Sequence, residues 1–119
     1  MDTLNSMATL YVICTLSDGA LTQDEATEVM KCLNEYNNVD GDAAMTAVEA
    51  ACKRVIGKAD GIGDLVGECC ANLDSLGEEM KSAIVTDLMR ISMADEKVAK
   101  GEALIVSSVA TLLGVKLEA

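Results

Sequence analysis

Apolar residues recur along this chain at every third or fourth position, the period of a helix that buries one side. Six such stretches alternate with short polar or glycine-bearing segments. The spacing predicts helices over about 3–16, 23–36, 43–58, 63–73 and 100–113, with a further one running from a cap at Ser75 to about Ala94. In the first, Leu4, Ala8, Tyr11, Val12 and Leu16 share a side, and the run from Leu4 to Cys14 is apolar enough to be buried. Later stripes are Ala26, Val29, Met30, Leu33 and Tyr36, then Ala44, Val48, Ala51, Cys52 and Val55. Met80, Ala83, Ile84, Leu88 and Ile91 form another, and Ala103, Val106, Ala110 and Leu113 the last. Sustained two-residue alternation is missing, which argues against a sheet. The expectation is an all-α bundle of about six helices, one domain over residues 1–119.

Punctuation between the stripes agrees. Asp18-Gly19 is a stop signal, because glycine closes a helix in the left-handed conformation without a Cβ clash. Thr22-Gln-Asp-Glu25 and Ser75-Leu-Gly-Glu78 both fit the capping box, in which a hydroxyl and a carboxylate exchange bonds with each other's backbone N–H. Asn37 to Asp42 is a turn cluster, Asp60-Gly-Ile-Gly63 a second break, and Gly114 ends the final helix. Gly63 and Gly67 suggest close helix packing.

Composition sharpens the class. Proline, phenylalanine and tryptophan are absent and Tyr11 and Tyr36 are the only aromatics, so the core is aliphatic. Hydrophobic residues at 50% against 24% charged exclude a disordered chain. The net charge of −11 excludes nucleic acid, whose phosphates need a basic face, and disfavours an anionic membrane surface. Cations and basic protein surfaces remain suitable partners. Five cysteines, with no CxxC pair and no histidine, exclude a disulfide framework or zinc site and point to a reducing cytoplasm. Cys69-Cys70 has no basic neighbour to activate a thiol, so burial is its expected state. The start Met1-Asp2 lacks a basic leader, and no apolar run approaches the ~20 residues of a membrane span.

Candidate chemistry lies in an internal echo. Asp18, Leu21, Glu25 and Ala26 match Asp95, Val98, Glu102 and Ala103, each set following an apolar helix and opening an amphipathic one. If the two corners meet about a pseudo-twofold axis, four carboxylates converge near two helix N-termini. A helix dipole offsets one carboxylate by about 0.3–1 kcal/mol, little against several crowded like charges. Such a cluster takes up protons, stays hydrated or binds a cation, and its all-oxygen donors suit Ca²⁺ or Mg²⁺. The other reading makes the same four residues helix caps and helix ends. A rival calcium loop through Asn38, Asp40, Asp42 and Glu49 has Ala43 where the sharp turn wants glycine, and a helix starting there breaks it. Catalysis finds no Ser/His or Cys/His pair and no phosphate loop.

The stretches Leu16-Ser-Asp-Gly-Ala-Leu-Thr-Gln-Asp-Glu25 and Ser92-Met-Ala-Asp-Glu-Lys-Val-Ala-Lys-Gly-Glu102, with Val109-Ala-Thr-Leu-Leu-Gly-Val115, resemble the tellurite-resistance B (TerB) family. The resemblance spans roughly residues 8–115 and is diagnostic only at its two ends. It implies a helical bundle with internal pseudo-symmetry and a bacterial stress or tellurite-resistance setting. It also implies a divalent-cation site at Asp18, Glu25, Asp95 and Glu102. The second corner departs from the pattern, with Asp95-Glu96 in place of aspartate–glycine and no capping hydroxyl. The expected function is a non-enzymatic cation-binding module. The alternative is a protein-interaction or structural module, with a protein partner or a second copy on an apolar face and no metal.

Overall fold

A helix without charge has no side that prefers water, and the stretch Thr3–Leu16 has none. In the computed structural model it is the central element. Residues 3–16, 23–37, 41–57, 61–93 and 100–115 are described. The side chains of Leu16, Asp24, Glu25, Tyr36 and Asn37, and of residues 91–93 and 100–104, lie outside that description. Among the described residues there are six helices and no strand: α1 (Thr3–Leu16), α2 (Gln23–Asn37), α3 (Gly41–Gly57), α4 (Ile62–Leu73), α5 (Glu78–Met93) and α6 (Lys100–Leu113). Every residue of α1 from Ser6 to Thr15 is buried. The burial expected of this apolar run is what the structure shows, and it extends beyond the one stripe to every side of the helix.

The other five helices each pack against α1 and stand around it in the order α3, α2, α5, α6, α4. Each contributes one apolar stripe to the shared core. Val29, Cys32 and Leu33 come from α2, and Ala44, Ala47, Val48, Ala51 and Val55 from α3. Leu65, Val66, Cys69, Cys70 and Leu73 come from α4, Ile84, Val85 and Leu88 from α5, and Val106, Val109, Ala110 and Leu113 from α6. Fully burying a Val, Leu, Ile or Met side chain is worth about 1.5–3 kcal/mol, and Tyr11 is the one aromatic among these mostly aliphatic core residues. The Cα radius of gyration is 12.7 Å.

Helix ends repay a closer look. The Gly114 N–H bonds the Thr111 carbonyl at 3.2 Å and the Val115 N–H bonds that of Ala110 at 2.8 Å. Gly114 takes φ +73°, so α6 ends in a Schellman motif as its glycine predicts. The Ser75 cap is displaced. Asp74 and Leu76 bond back to the Ala71 and Leu73 carbonyls, so these residues finish α4, and the Gly77 carbonyl takes the Lys81 N–H at the start of α5. Close packing at Gly63 and Gly67 is also corrected, since a Cβ added at either meets nothing within 4 Å. The helix α3 starts at Gly41 and runs unbroken through Asp42 and Glu49, which removes the rival calcium loop. The Asp18-Gly19 stop and the Thr22–Glu25 box lie outside the described residues.

Candidate functional site

Polar atoms are scarce around α1, so those that reach it stand out. Three Ser and Thr hydroxyls on α1 are buried, besides the phenol of Tyr11. Thr15 Oγ1 donates to the Val12 carbonyl at 2.8 Å and Thr9 Oγ1 to that of Asn5 at 2.7 Å, both satisfied within the helix. Ser6 Oγ is buried and without a partner among the described residues. Thr9 Oγ1 also accepts a 2.7 Å bond from Arg54 Nη1, which ties the last turn of α3 to α1.

The larger cluster joins α1, α2 and α5. Asp87 falls on the apolar stripe of α5, three residues after Ile84, and its side chain is 1% exposed. Tyr11, wholly buried on α1, donates its hydroxyl to Asp87 Oδ2 at 3.0 Å. Arg90, one turn further along α5, places Nη1 3.5 Å from Asp87 Oδ1. The same guanidinium reaches two carboxylates of α2, Glu28 Oε1 at 2.9 Å and Glu35 Oε2 at 3.5 Å. Burial pushes the Asp87 carboxyl up to about 6, against the pull of the Tyr11 and Cys32 hydrogen bonds and of Arg90. Burial, with the Asp87 charge beside it, also pushes the Cys32 thiol up to about 12. Three carboxyl groups therefore share one guanidinium, and Asp87 is the innermost of them.

Neither Tyr11 nor Asp87 is open to a substrate, so this cluster binds helices and protons rather than reactants. The thiols are equally withdrawn: burial raises Cys69 to about 12 and Cys70 to about 11, in line with the expectation for that pair. A surface groove of about 360 Å³ lies between the start of α5 and the end of α6, lined by Glu78, Lys81, Ser82, Leu113, Gly114 and Val115. Its one ammonium, Lys81 Nζ, is held by Asp74 at 3.2 Å, and no second charged group of the lining opposes Glu78.

The sequence-derived site residues are another matter. Asp18 and Asp95 lie outside the described residues, as do the side chains of Glu25 and Glu102. Among the described residues no group of three or more Asp, Glu, Cys or His fits a metal ion. Sequence reasoning missed Asp87. The signal was there: an acid on an apolar stripe, with arginine three residues on and one of two tyrosines elsewhere to meet it.

Fold and junction together define an all-α bundle wound on a buried central helix and locked by an internal carboxylate. The chain belongs to the TerB family: the family model described as Tellurite resistance protein TerB matches residues 4–119, nearly its whole length. Comparison with curated proteins and with solved structures gives no match. No helix among the described residues is long and apolar enough to cross a membrane.

Proposed function

We propose that the protein is a non-enzymatic, cytoplasmic binding module of the bacterial stress-response type. It takes a divalent cation, Ca²⁺ or Mg²⁺, through Asp18, Glu25, Asp95 and Glu102. The observation that carries this reading is the matching layout of the two corners. Six residues separate α1 from α2, and six separate α5 from α6. Asp18 and Asp95 are the second residues of these connections, and Glu25 and Glu102 the third residues of the helices that follow. A 2.9 Å ion pair joins Arg90, in the last turn of α5, to Glu28, close to the start of α2, which supports corners lying on one side of the molecule. Oxygen donors without thiol or imidazole favour hard cations over zinc. The cysteines, all free, support a reducing compartment.

The test is a thermal melt of metal-stripped protein with and without Ca²⁺, Mg²⁺ or Mn²⁺, beside the Asp18→Asn/Asp95→Asn double variant. A cation that binds only the folded state adds about 2.7 kcal/mol at ~100 times its Kd, a rise of several degrees. The rise is expected in the wild type and lost in the variant. No rise in either makes the four residues caps, and the protein-interaction reading takes over.

A further inference from the structure

The junction of Tyr11, Asp87 and Arg90 does more than fasten three helices. Glu28 and Glu35 are seven residues apart on α2, so Arg90 lies across two of its turns. Asp87 competes with both for the same guanidinium, and does so from Arg90's own helix. We propose that the junction is a proton-operated latch: one proton taken up by Asp87 frees Arg90 from the carboxylate of α5 and gives its charge to Glu28 and Glu35, so that α5 grips α2 more tightly in acid.

The surroundings leave Asp87 as the responding group. From α1 it is faced by Tyr11, with the Cys14 thiol 4.0 Å from the Leu88 carbonyl next door. From α2 it is faced by Cys32, Glu28 and Glu35, and on α5 by Arg90. The remaining neighbour of α5 is α6, which has no titratable side chain from Ile105 to Leu113. Glu28 and Glu35 on α2 and Asp87 on α5 crowd three carboxyl groups around a single guanidinium, and a proton on the buried member relieves that crowding. Tyr11 keeps Asp87 in place in either state, since a neutral carboxyl still accepts its hydroxyl. The direction follows from linkage: the native state holds this proton more tightly than the unfolded chain, so the contribution is full below about pH 4 and fades as pH rises through about 6. Between pH 7 and pH 5 the folding constant should rise about tenfold from this group alone.

Carboxyl-carbon NMR of the wild type across pH 4–8 reads Asp87 directly, and urea denaturation at pH 5 and pH 7 compares wild type with Asp87→Asn. Expected are an Asp87 midpoint near 6, the same midpoint in the Arg90 guanidinium signals, and a folding-constant ratio between the two pH values about tenfold larger in the wild type than in the variant. An Asp87 midpoint near 4 overturns the proposal. So does a midpoint near 6 that Arg90 does not follow, or an equal ratio in both proteins. If Asp87→Asn fails to fold, the wild-type titration of Asp87 and Arg90 decides alone.

Discussion

Phenylalanine at position 11 would fill the space of Tyr11 and lack the one O–H that reaches Asp87. In Tyr11→Phe a buried carboxylate loses a donor, which should cost about 1–3 kcal/mol in urea denaturation at pH 7. The Asp87 midpoint should also rise, because that hydrogen bond pulls its carboxyl down. Unchanged stability together with an unchanged midpoint would show that the bond carries nothing. The exposed pairs around it differ in kind. Arg90 and Glu35 are 39% and 48% exposed, and solvent screens ion pairs so open to it. At this scale the sequence was hard to read. Helical periodicity assigns apolar residues to stripes and expects charges off them, so Asp87 drew no notice, and its partners on α1 and α2 lie more than fifty residues away.

Elements were the legible scale. All six helices appear within about two or three residues of the spacing-based bounds, and the stripes read for α2, α3, α5 and α6 supply core residues such as Val29, Val48, Ile84 and Val106. The differences have physical causes. Periodicity finds a face, and α1 has none to find, because five neighbours cover it from every direction. The Ser75 box gave way to the turn that finishes α4, in which Asp74 and Leu76 still bond back to α4 carbonyls and α5 starts only at Glu78. The Gly114 stop was read correctly, and its energetic weight can be measured. Gly114→Ala places a Cβ at φ +73° and should cost roughly 1 kcal/mol, a fall of about 3–6 °C in Tm. The space around it is open, so backbone strain alone should account for the loss. An equal Tm would mean that α6 ends by another route.

Across the whole molecule, position relative to α1 should rank the effect of truncation. Leu10, wholly buried on α1, should cost about 2–5 kcal/mol on change to alanine. Leu112→Ala, on an α6 residue 53% exposed, should stay within about 0.5 kcal/mol. Urea denaturation of both variants checks the order, and comparable losses would mean that α1 is not the common wall. The proposed cation site belongs to this scale too, since it requires two corners from four helices to come together. A sequence displays the repeat of Asp18 and Glu25 in Asp95 and Glu102 but holds no measure of the distance between copies.

The place of α1 in chain order has a consequence for biosynthesis. This helix precedes all five of its walls in the chain, and the last of the six described helices, α6, completes the enclosure. Until those walls are made the nascent polypeptide displays an uncharged, largely apolar segment that has nowhere to hide, and its lasting contacts reach as far along the chain as α6. Contacts so distant in sequence form late and slowly. Until they do, the growing chain presents the kind of surface that invites association with other nascent chains and engagement by chaperones.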